Sequence, residues 1–122
     1  MKPDTDSLII YEDPHIIVCH KPAGIPTQSS RIGTPDMVSL LKSGLSGRTG
    51  RANPYLAVIH RLDQPVEGLL VFAKTPAAAK GLNRQLTSGG FGKNYNALVF
   101  GVTDPDDGLM ESYLVKDGRT KN

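Results

Sequence analysis

Asp63 holds the position in this sequence most suited to chemistry. It follows the apolar run Ala57-Val58-Ile59 and the polar pair His60-Arg61, and Gln64-Pro65 comes directly after it. A carboxylate between a strand and a proline-containing loop is held rigidly at the rim of a sheet. Arg61 is two positions away, so on an extended chain the two side chains share a face. A neighbouring cation keeps a carboxylate ionised at neutral pH, which suits a nucleophile better than a general acid. On spacing alone a plainer role is commoner for such an Asp: it caps a turn amide or pairs with Arg61.

The other candidates are weaker. His60 invites reading as a general base, yet no Ser or Cys occupies a nucleophile motif. A structural role, or a substrate contact without proton transfer, fits it better. His15 and His20 lack companions of metal-ligand type, and there is no Cys/His cluster of zinc spacing. The single cysteine, Cys19, sits in an apolar run and reads as a small buried hydrophobe. Tyr95 stands mid-strand, where it either packs in a core or offers a ring for stacking on a base. Residues 43–54 are glycine-rich and carry Arg48 and Arg51. They lack the spacing of a phosphate-binding P-loop, and two readings stay open: an RNA-backbone contact or a solvated mobile loop.

These residues need elements to position them. Leu8 to Tyr11 and Ile16 to Cys19 are strand signals around the turn Glu12-Asp13-Pro14-His15, which predicts a hairpin. Asp36 to Leu41 starts a short helix, with Thr34 or Asp36 as its cap. Residues 43–54 are expected to be loop. Ala57 to Ile59 is a strand, and Leu69 to Ala73 a buried one. Thr75-Pro76 opens a helix that runs to about Ser88, with Ala78, Leu82 and Leu86 as its buried stripe. Gly89-Gly90 ends it. Lys93 to Gly101 alternates with period two, and Leu109 to Val115 is a further strand candidate. The expected fold is α+β, a mixed but largely antiparallel sheet with one or two flanking helices.

The 122 residues amount to one domain at most. Hydrophobic residues make up 39% and charged residues 21%, the balance of a soluble globular chain rather than a disordered one. No apolar stretch approaches the roughly 20 residues that span a membrane, and the N-terminal residues have no signal-peptide core. A cytoplasmic setting is expected. The net charge of +2 is mild. Lys42, Arg48, Arg51 and Arg61 nevertheless succeed one another with no acidic residue between them, while Asp104, Asp106 and Asp107 cluster elsewhere.

Four stretches occur in a telling order: LIIYEDPHIIVCHKPAGIPT at 8–27, HRLD at 60–63, GLLVFAK at 68–74 and KNYNALVFG at 93–101. Together they resemble the RluA-like RNA pseudouridine synthases, over residues 8–116. HRLD is similar to the family's nucleophile signature, and 93–101 fits its K-x-Y-x-A-x-V-x-G strand. The resemblance implies an enzyme that isomerises uridine in structured ribosomal or transfer RNA, without cofactor or metal. It implies that Asp63 attacks the nucleotide. Tyr95 would stack on the uracil and assist proton removal, while Arg61 and His60 would contact the substrate.

Two departures stand out. The family's Thr-Ser-Gly after HRLD is here Val66-Glu67-Gly68. The family's second half, with its Gly-Arg-x-His-Gln-x-Arg segment and a basic partner for the nucleophile, has no counterpart in these residues, and no S4-type RNA-binding domain precedes residue 8. The expectation is therefore an N-terminal portion of a catalytic domain over 1–122. Alone it would be inactive or nearly so, with exposed apolar surface or self-association through its sheet edges. The alternative is a non-catalytic RNA-binding module.

Overall fold

The computed structural model describes residues 4–102, 104 and 106–114. The chain divides into two compact units, Met1–Gly92 and Lys93–Asn122. In the first, a short helix α1 (Thr5–Leu8) leads into the hairpin β1 (Ile9–Glu12) and β2 (Ile16–Lys21). Then come α2 (Met37–Thr49), β3 (Ala57–Val58), β4 (Gly68–Ala73) and α3 (Pro76–Ser88). The strands form one sheet in the order β1-β2-β4-β3, and each pairing is antiparallel.

The hairpin forms because Asp13 closes its turn. Its Oδ1 accepts the amides of His15 and Ile16, at 2.7 and 2.9 Å, which is the local bonding that makes Asp a turn residue. β2 then alternates strictly, with Ile17, Cys19 and Lys21 buried on one face. Leu70 and Phe72 of β4 join Ile17 and Cys19 in the main core, against Met37, Leu40, Leu41 and Leu45 of α2. The opposite parity of β4, Val71 and Ala73, packs with Ile59, Ala78, Ala79, Leu82, Leu86 and Phe91 on the α3 side. Helix α3 is capped as its sequence predicts: Thr75 accepts the Ala78 amide, Pro76 opens the helix, and Gly89 closes it in the left-handed region at φ 82°.

Three expectations need correction. Residues 43–49 are helical, not loop, because α2 continues to Thr49 and ends on Gly50 at φ 74°. Glycine's poor helix propensity is overridden by burial of Leu45 and by close packing. A Cβ on Gly44 would lie 2.6 Å from Thr5 Cγ2, so the glycine is what lets α1 approach α2. The cap of α2 is Asp36, in a capping box with Ser39.

The other two corrections concern strands. Residues 93–101 and 109–114 form none; Val115, the end of the second expected strand, lies outside the described residues. Period-two alternation says which side chains share a face, not that a partner ladder is present. In the second unit Leu98, Phe100, Met110 and Tyr113 are exposed. No helix among the described residues is long and apolar enough to cross a membrane.

Candidate active site

Strand β2 ends at Lys21 and β4 begins at Gly68, and these two residues pair in the antiparallel register. The segment leaving β2 (22–28) and the segment entering β4 (60–67) therefore share one end of the sheet. A set of hydrogen bonds joins them. Gly24 N donates to Gln64 O at 2.8 Å, and Gln64 Nε2 donates back to Gly24 O at 2.9 Å. The Thr27 hydroxyl donates to Leu62 O at 3.0 Å and accepts from Leu62 N at 3.1 Å. Arg61 Nη2 donates to Gln28 Oε1 at 2.8 Å.

Lys21 lies beneath this junction and is fully buried. Its Nζ donates to Pro22 O at 3.0 Å, Ile25 O at 2.7 Å and Gln64 O at 3.0 Å. Three acceptors need three N–H donors, which only the ammonium form supplies. Burial pushes the Lys21 ammonium below the usual lysine range, and the charge of Asp63 works against that. The direct bonds of the ammonium are to the three carbonyls, one of them on the residue that follows Asp63.

Asp63 itself is exposed. Its backbone carbonyl accepts Val66 N at 2.9 Å, closing the Gln64-Pro65 turn. Among the described residues its carboxylate caps no amide and forms no ion pair with Arg61, whose guanidinium is turned to Gln28 instead. Leu62, between the two, sends its side chain to the main core. A Cβ on Gly68 would come within 3.1 Å of Leu62 Cδ1, so the glycine after Val66-Glu67 makes room for it.

His60 is tied to the scaffold. Its Nε2 accepts the Val71 amide of β4 at 3.2 Å, and its ring meets Phe91 edge-on at 5.0 Å. Glu67, which replaces a hydroxyl residue of the expected pattern, lies 3.7 Å from His20 Nε2 at the surface. The first unit thus brings His60, Arg61 and Asp63 onto one segment. Tyr95 belongs to the second unit, where it is 65% exposed. Arg48, one of the basic run, is committed elsewhere: it sits on α2 and pairs with Glu12 at 2.9 Å. Among the described residues no three His, Cys, Asp or Glu side chains are grouped to hold a metal.

The exposed Asp63 thus stands on a backbone segment held by hydrogen bonds from residues 21–28, with the buried Lys21 ammonium bonded to the next residue's carbonyl. The family model for RNA pseudouridylate synthase matches residues 15–122. The chain is 34% identical over 110 residues to the dual-specificity RNA pseudouridine synthase RluA of Escherichia coli K12 and to that of Salmonella typhi, covering 90% of this chain and 48% of each relative. The RluA of Vibrio vulnificus is 32% identical over 94% of the chain and 44% of its own length. Among solved structures, human RNA pseudouridylate synthase domain containing 4 superposes with a TM-score of 0.56 at 25% identity, over 69% of this chain and 32% of that one. This chain belongs to the RNA pseudouridylate synthase family. It spans about half the length of the curated relatives it matches.

Proposed function

We propose that this chain carries the nucleophile of an RNA pseudouridine synthase that isomerises uridine in ribosomal or transfer RNA, with Asp63 as that nucleophile. The observation that carries the reading is the exposed Asp63 carboxylate on a segment fixed by hydrogen bonds from residues 21–28. A base within a stacked helix is out of reach, so the nucleotide is extruded to meet the carboxylate. Asp63 forms a covalent bond to the nucleotide and the N-glycosidic bond breaks. The uracil turns and is rejoined to the ribose through carbon 5, Asp63 leaves, and the proton on carbon 5 departs. Uridine and pseudouridine are isomers, so no co-reactant is consumed.

Arg61 contacts the extruded nucleotide. Its bond to Gln28 is exposed and is exchanged for RNA at little cost. Tyr95 stacks on the uracil and assists the proton step. His60 holds the HRLD segment against β4. Residues 1–122 then form the first portion of the catalytic domain, working in the cytoplasm.

The test is Asp63→Asn, made in the full chain its gene encodes and assayed by tritium release from RNA labelled at uridine carbon 5. The change is nearly isosteric and leaves the fold intact. Turnover is expected to vanish while RNA binding persists. Wild-type turnover in Asp63→Asn sinks the reading.

A further inference from the structure

Thr27 ends the stretch at 8–27 and has no role in the chemistry above. Its side chain is nonetheless among the few buried polar ones, with the residue 3% exposed. The single hydroxyl bonds both polar groups of one residue, donating to Leu62 O and accepting from Leu62 N. Leu62 N belongs to the peptide plane shared with Arg61, and Leu62 O to the plane shared with Asp63. Peptide planes are rigid, and only φ and ψ turn between them. A group that grips both planes therefore fixes both angles of Leu62. It also fixes the direction from which Arg61 and Asp63 depart. A hydroxyl is suited to this because one oxygen both donates and accepts.

The grip is itself braced. The carbonyl of Thr27 accepts Val38 N of α2 at 3.2 Å, and Pro26 O accepts Met37 N at 3.0 Å. Asp36 Oδ2, at the cap of the same helix, accepts Ser29 N at 2.7 Å. Thr27 is β-branched and so confined in χ1. From below, the Leu62 side chain is lodged in the core beside Gly68. The line of support runs from the first turn of α2 through Thr27 to Leu62 and so to Asp63. Asp63 is exposed, so its own burial does not orient it.

We propose that Thr27 is the positioning residue of this active site: its hydroxyl, bridging both peptide groups of Leu62, sets the orientation of Asp63 and Arg61. The proposal rests on the reading of Asp63 as nucleophile. Thr27→Val keeps the shape and removes the hydroxyl; Thr27→Ser keeps the hydroxyl and removes a methyl. Misplacing a reacting group by about 1 Å costs on the order of 10²-fold in rate. In the full chain, kcat for tritium release is expected to fall by about 10- to 100-fold in Thr27→Val, with KM for RNA within about twofold of wild type. Thr27→Ser should keep kcat within about threefold.

A merely structural role would lower the melting temperature and leave kcat per folded molecule unchanged. That result, or a Ser variant as impaired as Val, overturns the proposal. If Thr27→Val does not fold, Thr27→Ser decides alone: retained kcat upholds the hydroxyl, and loss of more than about tenfold rejects it. Asp63→Asn, run alongside, separates the two claims. An active Asp63→Asn removes the nucleophile reading, whereas an inactive one beside a fully active Thr27→Val removes only Thr27.

Discussion

Lys21→Met tests what holds the site together. Methionine keeps an unbranched stem of similar length and removes the ammonium, so the change is one of hydrogen bonding and charge rather than shape. Three carbonyls lose a donor: Pro22 O, Ile25 O and Gln64 O. Gln64 O retains Gly24 N, which leaves two carbonyls to be accounted for. A buried acceptor stripped of its partner costs about 1–3 kcal/mol. Set against this, the variant no longer desolvates an ammonium. The balance is a loss of about 2–4 kcal/mol. For a unit of this size each kcal/mol lowers the melting temperature by about 4–8 °C, so a fall of about 8–32 °C is expected.

Thermal unfolding followed by circular dichroism, with urea titration at the same pH, measures this directly. Lys21→Arg should not restore stability, because the planar guanidinium is larger than the fully enclosed site and presents its donors in a fixed fork. A Lys21→Met variant that melts within about 3 °C of wild type would refute the reasoning. It would mean that water or a small shift of the loop satisfies the carbonyls as well as the ammonium does.

Two further predictions follow from named contacts. Glu12 accepts Arg48 at 2.9 Å and Lys74 at 2.6 Å; burial raises its carboxyl, but these two cations outweigh burial and hold it below the ordinary glutamate range. Stability from this group is therefore complete above that range and lost as pH falls through the lowered native value. Glu12→Gln should cost about 1 kcal/mol at pH 7, and urea titrations down the acid limb should show the gap from wild type closing; a constant gap would contradict it. For Tyr95, Phe keeps the ring and Leu does not. Single-turnover assays should show Phe stalling after uracil detachment; near-normal turnover in Phe would leave Tyr95 a stacking role alone, and equal activity for Leu would remove it from the site.

What was legible in the sequence was whatever has a local signature. The β1–β2 hairpin, the β4 strand and the capped helix α3 each carry turn residues, periodicity or caps within a few positions. Helix α2 was read too short because Gly44, Gly47 and Gly50 look like loop residues, while the contact that favours Gly44 comes from Thr5, far away in sequence. The strand at 93–101 was read from alternation and from the K-x-Y-x-A-x-V-x-G pattern, and neither supplies a pairing partner. In the site, Asp63 and its neighbours were visible. Thr27 and Lys21 were not, since their bonds to Leu62 and Gln64 span 35 and 43 positions. One signal for Lys21 was available: Ile17, Cys19 and Lys21 share a parity, which places a lysine on the core face at the strand's end. A lysine there must find acceptors, and the turn that follows it supplies two of the three.

The arrangement also explains how a carboxylate can stand on a fixed backbone and remain open to solvent. Burial orients a side chain at the cost of raising a carboxyl's pKa and closing it to a large substrate. Here orientation comes from the backbone instead. The register that pairs Lys21 with Gly68 brings two loops to one sheet end; Lys21 bonds one residue beyond Asp63, at Gln64 O, and Thr27 bonds one residue before it, at Leu62. Asp63 is thus fixed on both flanks while its own side chain stays exposed. The buried ammonium supplies positive charge from the protein side, where salt screens it little. In the proposed reading, an RNA nucleotide approaching from the solvent side meets a carboxylate whose backbone is already in place. In this reading the rate derives from that preorganisation, and loosening either flank should slow turnover before it weakens RNA binding.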